Sequence, residues 1–226
     1  MGEPSEIVLP LGGILDITGE VVMMWLIILI LSAISVIVTR SLKERPGTFQ
    51  NVIETGVEYL DNFFTGIIGK SLARKYFYFL GSLFVFIIVG NYSGLFPGVG
   101  LSKYFKAPTA TLSTTLGLGV VTFVFLQASS IKVRGFKGYL KSFVSPIAVM
   151  LPLLLLDEFI KPASLALRLF GNVFGEETVT EELYGLLPIG APIIMMALSL
   201  LFCAIQAVVF TMLVSIYLDE AVEITE

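Results

Sequence analysis

Val21-Val22-Met23-Met24-Trp25-Leu26-Ile27-Ile28-Leu29-Ile30-Leu31-Ser32-Ala33-Ile34-Ser35-Val36-Ile37-Val38 is an apolar run relieved only by Ser32 and Ser35. Its length is close to the ~20 residues a helix needs to cross ~30 Å of hydrocarbon. Arg40, Lys43 and Arg45 follow at once, whereas Glu3, Glu6, Asp16 and Glu20 precede it without a Lys or Arg. A cleavable signal peptide needs a basic leading segment, so the run is expected to be retained as span 1, residues 21–39. The positive-inside rule puts its basic end in the cytoplasm and the acidic N-terminus outside. Composition agrees with this reading along the whole chain. Of 226 residues, 56% are hydrophobic and 14% charged, little more than half the roughly one quarter that a water-facing surface carries. With a mean hydropathy of +0.92, a soluble enzyme, a nucleic-acid binder and a disordered chain are all disfavoured.

The pattern repeats downstream. Residues 40–75 are mixed and end in Lys70, Arg74 and Lys75; the apolar positions Val52, Ile53, Val57, Leu60, Phe63 and Phe64 fit an amphipathic helix at the interface. Span 2, residues 76–97, opens on the aromatic cluster Tyr76 to Phe79, a composition suited to interfacial depth. Pro97 and Gly98 end it. Span 3, residues 109–131, starts with a polar face of Thr111, Ser113, Thr114 and Thr115, and the cytoplasmic loop 132–142 carries Lys132, Arg134, Lys137 and Lys141. Ten loop cations fall inside, against Lys103 and Lys106 outside, which fixes the orientation.

Residues 143–218 behave differently. Phe143 to Phe174 is interrupted by Pro146, Pro152 and Pro162 and holds Asp157, Glu158, Lys161 and Arg168. Leu183 to Leu218 is nearly uncharged, and as one straight helix it would run about 54 Å, more than the bilayer. Pro188, Gly190 and Pro192 offer a break. The expectation is an all-α polytopic bundle of about five spans, whose C-terminal part is a long, tilted, membrane-embedded helical hairpin. The acids Glu176, Glu177, Glu181 and Glu182 lie near its turn, and residues 219–226 form a tail. The chain shows no internal repeat.

An arginine in a membrane helix costs at least about 2.5–3.5 kcal/mol on insertion scales, so Arg168 is a functional candidate by default. Relative to it on a helical wheel, Lys161 lies at about +20°, Ser164 at about −40°, Gly171 at about −60°, Asn172 at about +40° and Gly175 at about −20°. Arg168 thus occupies a narrow face of mostly small residues, open to the close approach of another helix. The plain alternative is a static counter-ion for Asp157 or Glu158.

Other chemistry is scarce. There is no histidine, one cysteine (Cys203), no HExxH and no GxxxxGK[ST] loop, so neither a hydrolase site nor nucleotide chemistry is expected on this chain. A secondary transporter with midplane charges is an alternative class, disfavoured by the lack of repeats. A structural membrane scaffold holding a static ion pair is another.

Lys161-Pro162-Ala163-Ser164-Leu165-Ala166-Leu167-Arg168-Leu169-Phe170-Gly171-Asn172 closely resembles the signature of subunit a of the rotary F-type ATP synthases, the ion-conducting stator beside the c-ring. Asn91-Tyr92-Ser93-Gly94-Leu95-Phe96-Pro97, Ala107-Pro108-Thr109 with Thr114-Thr115, and Ile205-Gln206-Ala207 with Phe210 resemble further stretches of the family in order and spacing. The resemblance covers about residues 10–220; the arginine block is specific, and the others are weak alone. It implies a non-catalytic subunit, without cofactor, that passes H⁺ or Na⁺ through two offset half-channels to carboxylates on the c-ring. Arg168 would separate the half-channels and favour the ionised form of each arriving carboxylate. Asn172 would line the same face, Glu176 or Glu177 the access path, and Gln206 would pack near the arginine with Ser199 and Cys203 on its helix face. Asp157 and Glu158, with Lys161, would line the other half-channel; Ser164, Gly171 and Gly175 would allow close ring packing. Ser199 stands where some members place a histidine, which excludes a histidine relay. Thr111 and Ser113 stand where many members have Asp and Asn, which weakens the charge of that lining. The implied partners are the c-ring, the peripheral-stalk b subunits, indirectly the catalytic head, and membrane lipid. The implied location is a bacterial plasma membrane, with the C-terminus cytoplasmic. The choice of H⁺ or Na⁺ rests on ligands around the c-ring carboxylate, on another chain.

Overall fold

The computed structural model describes residues 7–9, 17–43, 47–95, 107–144, 151–186 and 190–222. Glu3, Glu6, Asp16, Arg45, Phe96 to Gly98, Lys103, Lys106, Pro146, Pro188 and the end of the tail lie outside the described residues, as does the side chain of Glu181. Two short strands, β1 (Ile7–Leu9) and β2 (Ile17–Thr18), pair antiparallel ahead of the first helix. Five helices follow: α1 (Gly19–Arg40), α2 (Thr48–Ser93), α3 (Leu112–Val144), α4 (Leu151–Leu186) and α5 (Ala191–Val222), with a 3₁₀ turn at Pro108–Ala110 before α3. An all-helical design closes every backbone hydrogen bond within its own segment, as hydrocarbon demands.

Among the described residues, α1, α2, α3 and α5 contain stretches long and apolar enough to cross a membrane. At 36 residues α4 is long enough, but Asp157, Glu158, Lys161, Arg168 and its later acids interrupt the apolar pattern. α1 stands almost clear of the bundle, burying chiefly Glu20 and Ile27, so its leucines and isoleucines face outward as lipid-exposed side chains do.

The interfacial segment and span 2 are one element, α2, kinked at Gly69 (φ 75°, ψ 157°). α3 is likewise kinked at Gly135 (φ 69°, ψ 160°). Only glycine adopts such a conformation without strain. Each kink lies in a basic cluster, beside Lys70 and between Arg134 and Lys137, where a helix leaving hydrocarbon can redirect. Proline breaks α4 less than its count predicts. Pro152 sits in the first turn, where its missing N–H costs nothing, and the helix continues through Pro162. The helix runs on to Leu186, so Glu176 and Glu177 lie about 15 Å before its end rather than at a turn.

α4 and α5 lie antiparallel. Glu176 meets Ser199 and Cys203, Asn172 meets Gln206, and Lys161 meets Glu220: positions falling along α4 pair with positions rising along α5. α2 joins α5 through Asn91 Nδ2, which donates to the Cys203 carbonyl (3.4 Å), and through the Tyr92 hydroxyl, which donates to the Leu200 carbonyl (3.2 Å). Phe79 of α2 stacks on Phe125 of α3. Buried Thr122, Thr211 and Ser215 give their hydroxyl protons to carbonyls one turn back in their own helices, so these three hydroxyls are satisfied without a partner on another helix.

α3 meets α4 at Gly119, where an added Cβ would lie 3.1 Å from both Ala166 Cβ and the Pro162 carbonyl oxygen. Gly119→Leu is therefore expected to lower the thermal unfolding temperature of the purified protein, at an overpacking cost of about 1–3 kcal/mol. An unchanged unfolding temperature would show that the two helices separate freely.

Candidate functional site

Arg168 stands on the outer face of α4. It is exposed, and among the described residues it makes no hydrogen bond or ion pair. The counter-ion alternative fails locally: Asp157 is exposed, and the Glu158 carboxylate accepts from Gln127 instead. Arg168 lines an open groove of about 520 Å³ with Ile160, Ala163, Ser164 and Leu167. Farther along the same face, a methyl group added at Gly171 or Gly175 would meet no atom within 4 Å. The small-residue face that the wheel predicts is thus open on this chain.

The opposite side of α4 faces the bundle through Leu165, Ala166, Leu169 and Val173, all buried. Between the two sides lie the polar groups. Asn172 Nδ2 donates to Gln206 Oε1 at 2.7 Å, which ties the α4 asparagine to the α5 glutamine. Gln206 is itself buried, and among the described residues its Nε2 has no hydrogen-bond partner. That leaves an oriented amide donor one turn from the arginine.

One turn beyond, Glu176 accepts from Ser199 and, at 3.7 Å, from the thiol of Cys203. Both donors are buried on α5, so the i, i+4, i+7 face of Ser199, Cys203 and Gln206 is used as the spacing predicts. Glu177 goes elsewhere. Its Oε1 lies 3.6 Å from where a Cβ on Gly94 would stand, beside Ala107, at the junction of α2 and the 3₁₀ turn. The two adjacent acids therefore divide, one against α5 and one against the end of α2.

Toward the other end of α4, Glu158 Oε2 accepts from Gln127 Nε2 of α3 at 2.7 Å. Glu158 and Glu176 are 18 residues apart, five helical turns and about 27 Å, and so project on one side of α4. Arg168 sits between their depths, turned about 80° toward the open face. Lys161 does not face the arginine's groove. Its ammonium pairs with Glu220 Oε2 at 2.7 Å and lies 5.3 Å from the Tyr217 ring centroid. Arg134 Nη2 donates to the Glu220 carbonyl at 2.9 Å, so α3 and α4 both meet the end of α5 at this one residue. With Glu220 well exposed, the ion pair itself contributes at most about 1 kcal/mol.

Sequence reasoning passed over Glu220, Gln127 and Tyr139. Glu220 lies on the Gln206 face of α5 by helical spacing, and Gln127 is a lone amide in an apolar stretch, so both carried a signal. Tyr139 carried none, because its contact depends on the kink at Gly135. Among the described residues no group of His, Cys, Asp or Glu is arranged to hold a metal ion. The arrangement is thus an open-faced cation flanked, toward opposite ends of the helix, by two inward carboxylates. Such a fixed cation attracts an anionic group brought to the face and favours its charged form.

A family model described as ATP synthase A chain matches residues 21–219, which take in nearly all of α1 to α5. The chain is 38% identical, over 206 residues that make up 91% of both lengths, to ATP synthase subunit a of Moorella thermoacetica.

Proposed function

The chain belongs to the ATP synthase A chain family, and from that premise we propose that it is the ion-translocating stator subunit of an F-type ATP synthase. In this reading α4 and α5 form the embedded hairpin against a c-ring, and H⁺ or Na⁺ reaches the ring carboxylates through two half-channels separated by Arg168. The observation that carries it is the charge layout of α4: a cation on an open face, free of any partner in the described chain, between two inward acids about 27 Å apart. A guanidinium stays charged at any working pH, so in a low-dielectric gap it draws an arriving carboxylate into its ionised form and repels a cation crossing directly.

The access half-channel takes Glu176 with Ser199, Glu177, and the Asn172–Gln206 pair beside the arginine. The second takes Glu158 and Asp157, with the charge of Lys161 balanced by Glu220. Ser164, Gly171 and Gly175 give the ring its close approach. Arg134, Lys161 and the end of α5 share one end of the bundle, so a cytoplasmic basic cluster carries the C-terminus with it and leaves the N-terminus outside. A bacterial plasma membrane, peripheral-stalk b subunits and a catalytic head complete the setting, with nucleotide chemistry on other chains.

The test is purification of the complex through a tag on this chain and reconstitution into liposomes. A co-purifying ring of small hairpin subunits and gradient-driven ATP synthesis are expected. Solute uptake by the chain alone would instead favour a secondary transporter. In the same vesicles, Glu176→Gln and Glu177→Gln are each expected to slow synthesis by at least roughly tenfold, the lower range for loss of a proton-transferring group. Glu58→Gln, exposed on the segment before Gly69, should leave it unchanged. Equal rates for all three variants would remove the α4 acids from the path.

A further inference from the structure

Tyr139 lies twelve residues beyond Gln127 on α3, which in an unbroken helix means about 18 Å along the axis. Yet its hydroxyl donates to Gln127 Oε1 at 2.7 Å. The kink at Gly135, with φ at 69°, is what brings the segment after it back to the amide. The same amide donates through Nε2 to Glu158 Oε2 at 2.7 Å. The two bonds fix each other. With the tyrosine proton on Oε1, the glutamine must present its NH₂ to the carboxylate. Glu158 then has Oε2 held as an acceptor and Oε1 left for another ligand. Lys161 is engaged by Glu220 and so does not compete for Glu158.

We propose that Tyr139 and Gln127 are positioning residues for Glu158, and that the held carboxylate is where a proton or monovalent cation enters or leaves at the basic end of α4. This rests on reading Arg168 as the separator of two half-channels. The tyrosine acts through the amide: without its hydroxyl the glutamine is free to rotate and turn its carbonyl toward the carboxylate, which repels it.

The test uses the assembled complex in liposomes, with gradient-driven ATP synthesis and ATP-driven pumping measured under H⁺ and under Na⁺ gradients. Glu158→Gln is expected to lower both rates about tenfold or more. Tyr139→Phe and Gln127→Leu are each expected to lower them roughly threefold to tenfold, the scale of one lost hydrogen bond. Combining Tyr139→Phe with Glu158→Gln should be no slower than Glu158→Gln alone, because a positioning tyrosine acts on the ion through Glu158. A merely structural tyrosine would make the two losses multiply, which overturns the proposal. So would wild-type rates for Tyr139→Phe and Gln127→Leu. Tyr139→Phe removes a single oxygen, and co-purification of the ring checks its assembly. Arg168→Ala runs alongside: if it abolishes synthesis while Glu158→Gln is silent, this inference fails and the stator reading stands. If Arg168→Ala is also silent, the stator reading fails with it.

Discussion

Arg168→Ala is expected to reduce gradient-driven ATP synthesis to below about 1% of wild type while leaving the chain folded and the c-ring bound. Two opposite charges about 4 Å apart attract by about 4 kcal/mol at an effective dielectric near 20, and each 1.36 kcal/mol is a tenfold change in rate. Loss of that attraction in the step where a ring carboxylate releases its ion therefore costs roughly a thousandfold. The fold should survive, because the side chain makes no bond to the described part of its own chain. The thermal unfolding temperature of the purified variant is expected to match wild type. Passive ion flux through vesicles should rise, since removal of the cation also removes the barrier between the two polar routes. Normal synthesis would mean that the arginine serves only structure.

Gly175→Leu is expected to weaken association with the c-ring without destabilising the chain. A side chain at this position meets nothing of its own molecule within 4 Å, so the substitution should change stability by no more than about 0.5 kcal/mol. Against a helix packed on that face it overfills the contact, at about 1–3 kcal/mol, which at 1.4 kcal/mol per decade weakens association by roughly five- to a hundredfold. Gly171→Leu should behave alike. Gly119→Leu is the converse case, since its clash is internal and its cost falls on folding. Measuring unfolding temperature and ring retention for all three separates the inward face from the outward one. Full ring retention by Gly175→Leu and Gly171→Leu would show that the ring docks elsewhere.

The spans followed from apolar runs and flanking cations, because the bilayer imposes a length and a charge rule on any segment that crosses it. The face of α4 around Arg168 followed from helical spacing alone, as did the Ser199, Cys203 and Gln206 stripe of α5. Ser164, Arg168 and Gly171 are exposed together and Ser199, Cys203 and Gln206 buried together, since no long-range contact is needed to decide which residues share a side; Lys161, on the arginine's side by the wheel, is drawn to Glu220 instead. Two prolines misled: Pro152 and Pro162 read as breaks, but Pro152 falls in a first turn and Pro162 is carried within a helix packed closely on Gly119.

By itself, then, the sequence determined a helical membrane protein, stretches long and apolar enough to cross a bilayer, and an exposed face around Arg168, because these depend on local periodicity and on the solvent around each segment. Only the tertiary structure decided that Glu176 turns to α5 and Glu177 to the end of α2. It likewise decided that Glu158 is held by Gln127 rather than by Arg168, and that Lys161 is held by Glu220. Those pairings join residues up to 83 positions apart, Glu177 with Gly94, and depend on antiparallel registers and on the kink at Gly135. Spacing along one helix gives the direction of a side chain; the neighbouring helix that meets it is set by packing.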